Sequence, residues 1–172
     1  MKTWSTYKQL ALGLMLLLSA ALLAPTSVYA SSEPVFGSAT GSTDDEGDMS
    51  PTGNGKFTID DRVYVGKIIG RSVAGLAAAC FTGELRSVEE WSLESPKMTG
   101  THESMVTIRS EKGALTLRLR GQMEQFSASG TWHIVRSSGG CADLVGEGKY
   151  TATYESKNGP DFRLTFDGQT EV

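Results

Sequence analysis

The sequence predicts an all-β domain: an antiparallel closed barrel of about seven or eight strands, with a two-sheet sandwich as the alternative. From Phe57 onward, apolar and polar residues alternate with a period of two, most clearly over residues 115–120, where leucines alternate with Thr and Arg. Turn signals containing glycine, such as residues 111–113 and 138–140, separate these runs at short intervals. No long run of helical period follows. Strands with one apolar face must curl together to bury that face and their edges.

The strands can be placed in chain order from this alternation. Their approximate ranges are residues 57–65, 88–93, 105–109, 115–120, 126–136, 150–154 and 162–167. In the first of them, the pattern places Phe57, Ile59, Val63 and Val65 on one face. Residues 68–79 are small and apolar, and both a buried strand and a short helix fit them.

The first 30 residues have the three parts of a secretory signal peptide. Lys2 and Lys8 begin it, an apolar run covers residues 10–23, and Ala30 ends a small-residue cleavage site. We therefore expect cleavage after Ala30, a secreted or periplasmic protein, and no stable membrane span after cleavage. A membrane anchor is the alternative, but Pro25 and the polar residues after it shorten the apolar run.

Residues 31–56 are rich in Gly, Ser, Thr and Asp and contain few large apolar side chains. Such a segment buries too little surface to offset its ordering entropy, which predicts a flexible acidic tether. Its acidic run, residues 44–48, lacks the alternating ligands and the distal Glu of a calcium loop. The predicted organisation is thus a signal peptide (1–30), a tether (31–56) and one barrel domain (57–172).

Charge and composition exclude several functions. The formal net charge is −4, and loss of Lys2 and Lys8 with the leader makes it −6. An acidic domain without a concentrated basic face is a poor nucleic-acid binder. Two cysteines and two histidines leave little for a metal site, and no motif indicates a cofactor.

The two cysteines, Cys80 and Cys141, both follow the leader. Export to an oxidising compartment favours a disulfide between them. Closing a loop of about 60 residues would stabilise the fold by about 4 kcal/mol.

Catalytic motifs are missing, so no catalytic residue is assigned. The chain lacks Gly-x-Ser-x-Gly, and His102 with Glu103 begins like a His-Glu-x-x-His zinc motif whose second His is absent. Two residues are candidate polar groups of a cavity. They are His133, if its strand face points inward, and Glu89, which shares a face with Trp91.

Six aromatic residues are predicted to point inward and either fill the barrel or line a cavity for an apolar ligand. They are Trp91, Trp132, Tyr150, Tyr154, Phe162 and Phe166. On the polar face, Arg118 and Arg120 project together. An anionic partner could bind them, or neighbouring acidic residues could balance them on a solvated exterior.

Residues 130–154 carry a family resemblance. The strand Gly-Thr-Trp-His-Ile-Val (130–135), the Gly-rich turn over 137–148 and the next strand resemble the allene oxide cyclase-like barrels, and within them a secreted bacterial branch of unknown function. The resemblance implies a calycin-like barrel. Plant members of the family act on an unstable epoxide fatty acid in an apolar cavity, but no residue of this chain matches their catalytic positions. Cys141 stands where the family has an aromatic residue or Arg.

Three functions remain open at this point. The first is a non-enzymatic secreted barrel that binds a small apolar molecule in its interior. The second is a filled barrel that serves as a structural or interaction module, with a homodimer through the outer sheet left open. The third is a cyclase or isomerase acting on a lipid-like substrate. The sequence favours a protein that is not an enzyme and does not identify a ligand.

Overall fold

The computed structural model describes residues 32–73, 75–154 and 161–172. The predicted signal peptide lies outside these residues. The described part contains one short helix and nine strands: β1 (Glu33–Asp45), β2 (Asp48–Gly53), β3 (Lys56–Ser72), α1 (Leu76–Cys80), β4 (Gly83–Glu94), β5 (Thr99–Arg109), β6 (Gly113–Glu124), β7 (Ser127–Gly139), β8 (Val145–Tyr154) and β9 (Phe162–Glu171). None of the described residues forms a helix long and apolar enough to cross a membrane.

The strands form one antiparallel sheet in the order β1-β9-β8-β7-β6-β5-β4-β3-β2. Strand β1 also pairs with β3, and this pairing closes eight strands into a barrel. Strand β2 pairs only with the first part of β3 and lies outside the closed ring. The predicted antiparallel closed barrel is confirmed.

The predicted tether is wrong, because residues 33–45 form β1 and close the barrel against β3 and β9. Val35 and Ala39 are buried in the core. The glycines that suggested disorder serve close backbone packing instead. A Cβ on Gly37 would lie 2.2 Å from the Ile69 carbonyl oxygen. The barrel domain therefore begins at β1 and not at residue 57.

A bulge in β3 reverses which residues point inward. Its register with β4 shifts between Ile59 and Arg62, and Asp61 has a positive φ of 57°. After the bulge, Tyr64 points inward and stacks on Phe162. The prediction that Val63 shares a face with Ile59 is therefore wrong: Val63 is buried but is not part of the core cluster.

Helix α1 and the disulfide close one end of the barrel, which we call the helix end. Cys80 and Cys141 are bonded, which confirms the predicted pair. Phe81, directly after α1, stacks on Phe166 and meets Trp132 edge to face. The ambiguous segment 68–79 contains both predicted structures, since β3 continues to Ser72 and α1 begins at Leu76. The turns at residues 46–47, 95–98 and 125–126 mark the opposite end, the far end.

Candidate functional site

The candidate site is a group of buried polar side chains inside an otherwise apolar barrel. Because strand residues point inward at every second position, neighbouring strands bring this group together. We call the group the interior polar cluster: Ser87 and Glu89 on β4, His102 and Ser104 on β5, and Tyr150 and Tyr154 on β8.

Glu89 lies at the centre of this cluster. The Tyr154 hydroxyl donates to its Oε2 (3.0 Å), and the Ser104 hydroxyl donates to its Oε1 (3.1 Å). His102 Nε2 pairs with Oε2, and the Ser87 hydroxyl donates to Oε1. Burial alone raises the pKa of Glu89, but the interaction with His102 and the hydrogen bonds from Ser87 and Tyr154 lower the pKa below its usual value of 4.5. Glu89 is therefore a buried carboxylate.

His102 is held by both of its ring nitrogens. Its Nδ1 lies 2.6 Å from the Tyr150 hydroxyl, and its Nε2 lies 2.9 Å from the Tyr154 hydroxyl and faces Glu89. When Nε2–H donates to Glu89, Nδ1 of a neutral ring accepts a hydrogen bond from the Tyr150 hydroxyl. In a charged ring, Nδ1–H donates a hydrogen bond to that hydroxyl. Burial, followed by the charge of Glu89, raises the pKa of both tyrosines above its ordinary value of 10.0. The cluster thus joins a carboxylate, an imidazole and two neutral phenols.

Arg62 covers the interior polar cluster from the far end. Its guanidinium lies 5.1 Å from the centre of the Trp91 ring and 5.4 Å from that of Tyr64. Its Nη2 pairs with Glu46 Oε2 at 2.7 Å. The centre of the Trp91 ring lies 4.8 Å from that of Tyr154, in an edge-to-face arrangement. Trp91 therefore contacts both Arg62 and the interior polar cluster.

Two buried donors in this region have no hydrogen-bond partner among the described residues. They are Trp91 Nε1 and Arg62 Nε. The other buried indole is satisfied, because Trp132 Nε1 donates to the Asp167 carbonyl oxygen at 3.1 Å. An unsatisfied buried donor costs about 1–3 kcal/mol. Both atoms are donors, so the group that would satisfy them is a hydrogen-bond acceptor.

The six predicted aromatic residues all point inward and are buried, as expected. They divide between the two ends. Trp132 and Phe166 pack at the helix end with Phe81, whereas Tyr154 and Phe162 pack beside Tyr64. Their role in ligand binding stays a prediction.

Of the two predicted polar cavity groups, Glu89 is inside the barrel and His133 is not. His133 is half-buried on the outer face, because its neighbour Trp132 points inward. It borders an outer groove of about 680 Å³ together with Phe36 and Asp167. The proposal of His133 as a cavity group is therefore wrong.

Sequence reasoning missed His102, Arg62 and Tyr64. His102 was recognisable, because Val106 and Ile108 define the inward face of β5 and His102 is in phase with them. Arg62 and Tyr64 follow the bulge of β3, and the alternation before the bulge gives the wrong phase for them.

The outer face carries no unbalanced basic patch at Arg118 and Arg120. Arg118 Nε lies 2.7 Å from Glu103 Oε1, and Arg120 Nε lies 3.1 Å from Glu103 Oε2. These contacts agree with the solvated, charge-balanced alternative. Within the described ranges, no group of three or more His, Cys, Asp or Glu residues could hold a metal ion.

Comparison of the chain with protein-family models, with curated proteins and with solved structures gave no match in any of the three. The resemblance to the allene oxide cyclase-like barrels therefore stays a prediction.

Proposed function

We propose that this protein, in the secreted or periplasmic compartment that its leader predicts, binds a small, largely apolar molecule. The molecule carries a hydrogen-bond acceptor and occupies the far end of the barrel interior, beside Trp91. One observation carries the proposal: Trp91 Nε1 and Arg62 Nε are both buried without an acceptor among the described residues, and the Arg62 guanidinium lies 5.1 Å from the centre of the Trp91 ring.

The surroundings of these donors support a ligand that is mostly apolar. Leu93 and Phe162 are buried in the same core, and Met98 and Phe126 pack against it. A small number of polar groups in an apolar site gives strong selectivity, because a molecule without the acceptor leaves the donors unpaired. A barrel that only had to be filled could carry Phe in place of Trp91 and avoid this penalty.

Native mass spectrometry of the protein purified from the organism that makes it tests the proposal. We expect the wild type and Trp132→Phe to carry a small molecule that is released on unfolding. Trp91→Phe should carry much less of it, because the lost hydrogen bond is worth about a factor of ten in affinity. Bare protein in all three samples would contradict binding and favour the filled structural module. Equal occupancy in both variants would contradict the role of Trp91.

Proton transfer is a second candidate function, favoured by the interior polar cluster. Burying the Glu89–His102 pair is costly, and apolar residues in their place often give equal or greater stability. A carboxylate and an imidazole joined to phenols are the groups that an isomerase acting on a lipid-like substrate would use to move a proton. The bound molecule should then exchange C–H hydrogen for deuterium in D₂O with the wild type and not with Glu89→Gln. Absence of exchange with both would leave binding alone.

A further inference from the structure

We infer that the bound molecule is an organic monocarboxylate and that Arg62 binds its carboxylate in the place now taken by Glu46. This inference rests on the proposed function and adds the chemical class of the ligand. It follows from three features of Arg62: an unused donor, an exchangeable partner and the sign of the surrounding charges.

Arg62 offers more than its present partner uses. Glu46 Oε2 contacts Nη2 at 2.7 Å, while Nε on the guanidinium is buried without an acceptor among the described residues. A guanidinium presents Nε and Nη along one edge, spaced to match both oxygens of a carboxylate. A carboxylate that takes both would satisfy the donor that Glu46 leaves free.

Glu46 is the exchangeable side of this pair. Its side chain is 76% exposed and lies in the short turn between β1 and β2, whereas the Arg62 side chain is 14% exposed. The rings of Trp91 and Tyr64 hold Arg62 in position. Exposed ion pairs are weak, so an incoming carboxylate could replace Glu46 while the barrel and Arg62 stay unchanged. The turn then acts as an internal competitor for the ligand site.

The local charges oppose a ligand that carries more than one negative charge. Among the described groups whose charge acts on Tyr64, Arg62 is the cation, and Glu89, Glu46 and Asp161 are anions. A phosphate dianion would need a second cation, and an ammonium group would meet the donors of Arg62 and Trp91. A monocarboxylate on Arg62 adds one negative charge, and Glu46 can turn into solvent because its side chain is 76% exposed.

The test uses three probes with one apolar body and different head groups: 4-phenylbutyrate, 4-phenylbutan-1-ol and 4-phenylbutylamine. Calorimetric titration of the wild type should rank the acid first and the amine last. Glu46→Gln should raise the affinity for the acid about two- to fivefold, the size expected for removing an exposed competing ion pair, and leave the alcohol unchanged. Arg62→Met should abolish the preference for the acid. Glu111→Gln, an equal charge change at the helix end, should alter none of these values.

If Arg62→Met does not fold, Arg62→Lys takes its place in the test. It keeps the charge but lacks the paired Nε and Nη donors, so it should retain only part of the preference for the acid. Equal affinities for acid and alcohol, or no effect of Glu46→Gln on the acid, would overturn the carboxylate inference and leave the proposed function standing. If none of the probes binds, the molecule released from the native protein decides. A carboxylate supports the inference, another head group overturns it, and bare protein contradicts the proposed function itself.

Discussion

Replacing Trp91 by Phe and, separately, Trp132 by Phe compares two indoles that differ mainly in whether the N–H is satisfied. Their exposures are 2% and 1%, so both substitutions remove the same ring atoms from an equally buried place. Trp132 Nε1 donates to the Asp167 carbonyl oxygen at 3.1 Å, whereas Trp91 Nε1 has no partner among the described residues. The difference between the two variants therefore depends mainly on the N–H group, with a smaller contribution from the contact between Trp91 and Arg62.

The expected difference follows from these contacts. Trp132→Phe loses a neutral hydrogen bond with a net value of about 1 kcal/mol. Trp91→Phe removes a buried donor whose missing partner costs about 1–3 kcal/mol. The smaller ring at residue 91 also loses part of the contact with Arg62, worth about 0.5–1 kcal/mol. In ligand-free protein, Trp91→Phe should therefore be about 2 kcal/mol more stable than Trp132→Phe.

Denaturant unfolding of both variants, with the disulfide intact and any bound molecule removed, measures this difference. Circular dichroism of the native states checks that both variants keep the barrel. Equal free energies of unfolding, or a larger loss for Trp91→Phe, would refute the claim that the Trp91 indole is unsatisfied in the free protein.

Three further predictions concern the cluster and the disulfide. Glu89→Gln should lower the free energy of unfolding by about 3–5 kcal/mol near neutral pH, because the buried groups that hydrogen-bond to residue 89, namely His102, Tyr154, Ser87 and Ser104, lose a charged acceptor. Since folding lowers the pKa of Glu89, its stabilising effect is present above pH 4.5, the ordinary pKa, and is lost as the pH falls through the lower folded value. Urea unfolding curves of variant and wild type should therefore converge in acid, and a cost that is equal at every pH would contradict a Glu89 side chain that is ionised in the folded protein. Replacing Cys80 and Cys141 by Ser opens a loop with a sequence separation of 61 residues and should lower the free energy of unfolding in denaturant by about 4 kcal/mol. A decrease of less than about 1 kcal/mol would argue against a structural role of the disulfide. Burial beside Glu89 raises the pKa of Tyr154 well above 10.0, so ultraviolet titration should show Tyr154 protonated until the protein unfolds in alkali. A phenolate signal from Tyr154 near pH 10.0 in the folded protein would contradict its burial beside Glu89.

Alternation in the sequence predicted the barrel best where the inward face is purely apolar. On β6, Leu115, Leu117 and Leu119 point inward with polar residues between them, and on β9 Phe162 and Phe166 do the same. The disulfide was also predictable, because the chain has only two cysteines. In these regions, solvation and burial determine the fold with little contribution from local geometry.

Strand β1 could not be recognised from composition. Its inward residues include Gly37 and Gly41. A Cβ atom at either position would lie within 2.4 Å of a carbonyl oxygen of β3. Barrel closure here needs small residues, and small residues with polar neighbours also characterise disordered chains. The pairing of β1 with β3 and β9 is a long-range property that the segment alone does not encode.

The candidate site was only partly predictable. Glu89 was predictable because it is in phase with Trp91. His102 is in phase with Val106 and Ile108, but the polar Ser104 lies between them and weakens the apolar alternation on β5. The bulge at Asp61 brings Arg62 inward, and no alternation rule locates a bulge. The unsatisfied state of an indole N–H depends on distances to several strands, which only the folded structure provides.

The most direct test is the indole ¹⁵N–¹H spectrum of the protein without residues 1–30, in which Trp91 and Trp132 are the two tryptophans that remain. The spectrum would be recorded on ligand-free protein before and after adding the molecules extracted from protein purified out of its own organism. We predict that the Trp91 indole proton moves downfield as it gains an acceptor, while the Trp132 signal, already bonded to Asp167, stays in place. A Trp91 signal that does not move, or a shift confined to Trp132, would contradict ligand binding at this site.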